Sequence, residues 1–279
     1  EMEDKLGQAN TLRSLGDLTL RRGDLQAAQA QYDAALALFT QIEDQLGQAN
    51  TRRSLGDLAL RRGDLQAAQA QYDAALALFT QIEDQLGQAN TRLGMGDLAD
   101  RLEQPQEALA HYQAALEIYR HLGDRYSLAR ALLLSVVPFF LRHDQVPEAF
   151  RAYAEGLRVL LPLDAAFFLT FLDDAFEQVR ALVRTQPAQA AAGCALLFQE
   201  LKPALEEARS KEDDRTVLLL TVALSLFQVV GLVAVARTEA DEERRASLQE
   251  ARALAEQVDQ ATDARFGLVA WVDEMSDMP

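Results

Sequence analysis

Apolar positions recur three and four residues apart from the start of the chain. Leu12, Leu15, Gly16 and Thr19 fall on one face of a first helix, and Ala28, Tyr32, Ala35 and Leu36 on one face of a second. Arg22-Gly23-Asp24 breaks the pattern between them, and Arg62-Gly63-Asp64 breaks it again forty residues later. Glycine ends a helix at little steric cost, and the aspartate offers a side-chain oxygen to cap the next one. The pattern therefore predicts helical hairpins. Gly16, Ala28 and Ala35 let neighbouring helices approach closely, while Leu15 and Tyr32 fill the space between them. A single hairpin cannot bury both of its faces, so the units are expected to stack.

The pattern is a repeat. Residues 6–45 recur at 46–85 with two changes, Leu12 becoming Arg52 and Thr19 becoming Ala59. Residues 86–125 form a diverged third copy, and 126–165 a fourth with one inserted residue near His143–Val146. The opening Glu-Met-Glu-Asp-Lys aligns with 41–45 and 81–85, so the chain is expected to begin inside a repeat, with further repeats once upstream. On that reading the first helix carries no polar capping helix and could pair with a copy of itself.

Leu15-Gly16, Gly23, Ala28, Tyr32 and Ala35, and forty residues on Leu55-Gly56, Gly63, Ala68, Tyr72 and Ala75, resemble the tetratricopeptide repeat (TPR) consensus. The third copy keeps Gly96, Ala108, Tyr112 and Ala115 but has Glu103 at the turn glycine. The fourth keeps Ala149 and Tyr153, with Val136 for the packing glycine and Gly156 for the last alanine. The usual period is about 34 residues. This longer one is similar to the TPRs of kinesin light chains, LGN/Pins adaptors and many bacterial regulatory proteins. The resemblance implies an all-α fold, a right-handed solenoid of stacked helix–turn–helix hairpins, over 1–165. It also implies a concave groove lined by the first helices, where a protein or peptide is held.

From 166 to 279 the repeat fades into a degenerate helical extension or cap. Helices are expected at 164–185, 187–209, 212–238 and 241–259, with a short one near 263–275. Pro187 suits a first helical turn, and Pro203 is expected to kink or interrupt its helix. Phe167, Phe168, Phe171, Leu172 and Phe176 form an aromatic and aliphatic face read as core rather than as a ligand box. Residues 216–236 carry no charge and are long enough to span a bilayer. However, Asp214, Thr221, Ser225 and Gln228 form a polar stripe, and the flanks show no clear arginine asymmetry. A buried central helix is therefore expected, with a membrane anchor as the alternative.

Charge narrows the partners. With 43 acidic against 27 basic residues the net charge is -16, which repels phosphates and makes nucleic acid an unexpected partner. The single Cys194 can form no internal disulfide and sits in an apolar run; with no signal-peptide pattern, a cytoplasmic setting is expected. His111, His121 and His143 are scattered over the repeats and build no metal site, and the glycines belong to the repeat rather than to a phosphate loop. No catalytic residue, metal or cofactor is expected.

The remaining chemistry lies on the other face of each first helix. Asn10, Ser14, Asp17 and Arg21 lie within about 40° of a common line, with Arg13 beside it. The second copy repeats Asn50, Arg53, Ser54, Asp57 and Arg61. The third keeps Asn90, Asp97 and Arg101 but has Leu93 for the middle arginine. Asparagine can serve both groups of an extended backbone, and arginine takes a carboxylate through two bonds. The expected function is a peptide- or protein-binding scaffold, part of a larger regulatory protein, holding an acidic or mixed-charge extended segment. Alternatives are a self-stacking structural module forming homo-oligomers, a membrane-anchored adaptor, and a small-ligand sensor built on Phe167–Phe176.

Overall fold

The computed structural model describes residues 2–161, 165–239, 241–263 and 265–276, and these fold into helices, turns and short connections. The helix start expected at 164 and the Phe167 side chain lie outside the described residues. The chain forms two compact units, Glu1–Asp124 and Arg125–Pro279.

The first unit holds α1 (Met2–Arg21), α2 (Leu25–Gln41), α3 (Gln45–Arg62), α4 (Leu65–Gln81), α5 (Gln85–Arg101) and α6 (Pro105–Leu122). Its turns follow the local chemistry. Gly23 and Gly63 take left-handed backbone at φ 82° and 77°. Asp24 and Asp64 then cap α2 and α4, accepting from the Ala27 and Ala67 amides at 3.0 Å. Between hairpins Asp44 and Asp84 cap α3 and α5 in the same way through Gly47 and Gly87. Where Glu103 replaces the turn glycine it still adopts φ 59°, and Pro105 opens α6 without a side-chain cap from Gln104.

Each hairpin packs on the next, α2 on α3 and α4 on α5, with α1 against α3 and α3 against α5. The glycines set the approach. A Cβ on Gly16, Gly56 or Gly96 would lie 2.5–2.6 Å from the ring of Tyr32, Tyr72 or Tyr112. On Gly47 or Gly87 it would lie 2.2 Å from the ring of Phe39 or Phe79. Core clusters accordingly mix neighbouring repeats: Leu20, Ala28 and Tyr32 with Leu55 and Leu58, then Ala68 and Tyr72 with Met95 and Leu98. Each large side chain buried this way contributes roughly 1.5–3 kcal/mol. One expectation needs correction. Leu15 does not fill a gap between helices as Leu55 and Met95 do, because no described helix packs on that side of α1.

The second unit holds α7 (Arg125–Ala131), a π-helical turn (Leu132–Val136), α8 (Val137–Arg142), α9 (Val146–Leu160), α10 (Ala165–Thr185), α11 (Pro187–Ser210), α12 (Asp214–Ala236), α13 (Asp241–Ala261) and α14 (Leu268–Ser276). The π turn relocates the insertion in the fourth repeat. Its turn at Asp144 (φ 55°) has the same form as that at Glu103, so the extra residue is not at His143–Val146. It is absorbed inside the first helix, where a π turn takes one more residue than an α turn.

α11 runs through Pro203 without interruption, the exposed proline sitting on its outer side. Phe168, Phe171, Leu172 and Phe176 are buried, and Phe176 meets Phe266 and Trp271 edge-on at 5.8 and 6.0 Å. That face is filled core. Arg180 lies over the Phe176 and Trp271 rings at 5.2 and 5.1 Å, a cation held on aromatic faces. Cys194 is buried, and burial pushes its thiol pKa up, so it stays protonated and unreactive. α12 is long and apolar enough to cross a membrane, yet it packs against α10, α11 and α13 and over half of its most apolar window is buried. Asp214, Thr221 and Gln228 lie on its exposed side, with Ser225 half-buried between them.

Candidate functional site

The predicted stripe lies along α1, α3 and α5, and the structure divides its members into two kinds. The aspartates are engaged from within. Asp17, Asp57 and Asp97 each accept a hydrogen bond at 2.7 Å from the hydroxyl of Tyr32, Tyr72 and Tyr112, the tyrosine fifteen residues on. The other carboxylate oxygen faces the arginine one turn earlier, Arg53 to Asp57 at 3.2 Å and Arg13 to Asp17 at 3.6 Å. Burial raises the Asp57 pKa, opposed by Arg53, Tyr72 and Arg61, while burial and the carboxylates raise those of Tyr32 and Tyr72. A tyrosine that fills the core thus keeps its polar tip bonded at the surface of the first helix.

The arginines at the far end of the stripe also have structural work. Arg61 Nη1 donates to the Leu20 carbonyl at 3.3 Å, and Arg101 Nη1 to the Leu60 carbonyl at 2.9 Å. Each ties its helix to the carboxy-terminal end of the first helix in the preceding hairpin, where carbonyls lack helical partners. Asn50 donates to the Leu46 carbonyl at 3.0 Å, and Asn90 accepts from the Tyr119 hydroxyl at 2.8 Å. Ser54 is only 4% exposed and lies beside Tyr32 of the hairpin before it. A buried Ser54 presents nothing to a ligand, whereas Asn10, Ser14 and Arg21 of the first helix are exposed. Arg13 and Arg53 keep about a quarter of their side-chain surface open.

One component of this face was not anticipated. Leu6, Leu46 and Leu86 are exposed large apolar side chains at equivalent positions of the three repeats. Leu46, Asn50, Arg53 and Asp57 follow at steps of four, three and four, so the leucine continues the same stripe toward the helix start. That spacing was present in the sequence, but an apolar residue beside polar ones reads as core until its exposure is known. The surface on offer is therefore mixed, apolar at one end and carrying partly paired arginines along its middle. Among the described residues, no three His, Cys, Asp or Glu side chains are grouped to hold a metal ion.

Comparison with known proteins places this geometry. Residues 7–81 and, overlapping them, 48–121 match the family model described as tetratricopeptide repeat, so the hairpins of the first unit are tetratricopeptide repeats. No curated protein matches the chain. Among the solved structures that share its fold are two helical proteins. BtubC (BKLC) from P. vanneervenii has a TM-score of 0.50 at 16% identity, over 81% of this chain and 89% of that one. A Rap protein, solved in complex with competence and sporulation factor, has a TM-score of 0.56 at 14% identity, over 96% of this chain and 73% of that one.

Proposed function

We propose, from the tetratricopeptide repeats over residues 7–121, that this chain is a non-enzymatic scaffold holding a protein or peptide segment along the exposed face of α1, α3 and α5. The observation that carries this reading is the period-matched row of Leu6, Leu46 and Leu86 beside the Asn/Arg/Asp stripe. Exposed leucines recurring at the same position of each repeat offer one apolar contact per hairpin to an extended segment. Arg13 and Arg53, each with about a quarter of its side-chain surface open, add places for carboxylates. The bound segment is therefore of mixed charge, with apolar side chains set against the leucines and acidic ones against the arginines. The similarity to a Rap protein solved with a bound factor supports a binding role and leaves the identity of the partner to experiment. The burial of α12 favours a core helix over a membrane anchor.

The test selects a displayed library of random peptides on the chain, then repeats selection on two variants. Arg13→Gln with Arg53→Gln removes the cations without setting a new carboxylate against Asp57. Leu46→Ser with Leu86→Ser removes the apolar row. Enriched peptides should carry apolar and acidic residues and be lost on both variants, with melting temperature unchanged. Equal enrichment on both variants would remove this face as the site.

A further inference from the structure

The three exposed leucines recur at a pitch that selects among the backbone conformations open to a bound segment. α1 touches α3 and α3 touches α5, and the chain reverses twice between the members of each pair, so all three helices run the same way. Helices in contact lie about 8–10 Å apart, and equivalent side chains on them recur at about that distance. Leu6, Leu46 and Leu86 are such equivalents, 39%, 49% and 40% exposed. Their openness belongs to the repeat: α3 has helices of both neighbouring hairpins against it, and its Leu46 is the most exposed of the three. A polyproline II helix turns once in three residues and rises about 3.1 Å per residue, so every third side chain returns to one face after about 9 Å. A β-strand returns a side chain to one face after about 7 Å or about 13 Å, and its residue i+3 points away. Hydrogen bonding separates the two as well. A strand laid across these helices would need partners for its backbone groups. The asparagines of this face are already bonded within the chain, Asn50 to the Leu46 carbonyl and Asn90 to the Tyr119 hydroxyl. Polyproline II leaves its backbone to water and needs no such partners.

We propose that the segment held on this face is a polyproline II helix with apolar side chains at i, i+3 and i+6, one against each of Leu6, Leu46 and Leu86. This rests on the reading of the face as a binding surface, and adds the conformation and sequence period of the ligand. Arg13 and Arg53 follow their leucines by two helical turns, about 10 Å further along α1 and α3. A polyproline II segment crossing at the leucines turns one of its two other faces toward these arginines. Its acidic residues therefore fall in a second period-three row beside the apolar one, paired with guanidinium groups. α5 carries Leu93 at the arginine position, so the acidic row has two members where the apolar row has three. The end of the segment over α5 is the end without acid.

Three labelled peptides of equal length and composition, each with leucines and glutamates on a serine and alanine background, test the period by fluorescence anisotropy against the 279-residue chain. Their leucines recur every third, every second or every seventh position, matching polyproline II, a strand and an α-helix. The period-three peptide should bind about tenfold tighter than the other two. Proline at its background positions should tighten binding further by fixing the backbone in advance; weaker binding would overturn the proposal. Serine for the middle leucine of the peptide, or Leu46→Ser in the chain, should each weaken binding by about tenfold. The two together should cost little more than either alone, whereas Leu6→Ser with the same peptide change should cost both. Tighter binding of the period-two or period-seven peptide, lost on Leu46→Ser with Leu86→Ser, would overturn the polyproline II conformation and leave the face as the binding site. Period-three binding indifferent to those serines would overturn both readings. No binding by any of the three would overturn this ligand, while selection from the random library decides the face independently.

Discussion

Tyr32, Tyr72 and Tyr112 each press a ring against a glycine and place a hydroxyl on an aspartate, so one residue joins core to surface. The glycines at equivalent positions do not all have this duty. Gly47 sits under Phe39 while Gly7 faces open space. Gly47→Ala should therefore destabilise the chain by about 1–3 kcal/mol through forced repacking. Gly7→Ala, at the identical sequence position, should stabilise it by roughly 0.5–1 kcal/mol through helix propensity. Denaturant titration of both variants checks the opposite signs. Asp57 offers a test in pH. Its folded pKa is raised, so between its ordinary value and the raised one the folded state binds more protons than the unfolded state. Stability from this group then falls as pH rises through that window. Asp57→Asn, which keeps an acceptor for the Tyr72 hydroxyl, should flatten that slope; an unchanged slope would show that the carboxylate does not titrate as described.

At the scale of the element, helix ends and turns account for the hairpin. Asp24, Asp44, Asp64 and Asp84 cap four successive helices with the same geometry. The third hairpin departs from it, holding Glu103 at φ 59° where Gly63 stands at 77° in the second. A side chain in left-handed backbone costs roughly 1–2 kcal/mol, so Glu103→Gly should raise the melting temperature despite the greater freedom glycine has when unfolded. The control Gly63→Glu should lower it. These turns are legible in the sequence, because Gly, Asp and Pro act locally. The π turn at Leu132–Val136 is not, since an inserted residue leaves the same trace in an alignment wherever it is accommodated. Pro203 likewise reads as a break, yet α11 continues through it, with the proline on the exposed side where water can satisfy the carbonyl left without its N–H partner.

For the whole molecule the excess of acid is the dominant field. A chain of net charge -16 repels itself in the folded state more than in the expanded one. Raising the salt from about 0.01 M to about 0.15 M shortens the screening length from about 30 Å to about 8 Å, and the melting temperature should rise over that range. No rise would mean that internal pairs such as Arg53–Asp57 and Arg265–Asp173 already balance the surface. The apolar segment 216–236 also belongs to this scale. Its length and composition fit a membrane or a core equally, and only the helices packed around it distinguish the two environments.

The helical hairpins, their caps, the forty-residue period and the small residues that let helices meet all depend on contacts within one turn or one repeat, so the sequence alone carries them. It also marks the face that runs from Asn10 to Arg101. Which atoms on that face remain exposed is decided by tertiary packing. Asp57 and Asn90 turn to tyrosines, Arg61 and Arg101 to carbonyls of the hairpin before, and Ser54 is buried, while Leu6, Leu46 and Leu86 are left exposed. Two nearly identical repeats carry the same letters and meet different neighbours. Burial and pairing belong to the neighbour as much as to the residue, so Leu15 and Leu55 have one sequence context and two physical ones.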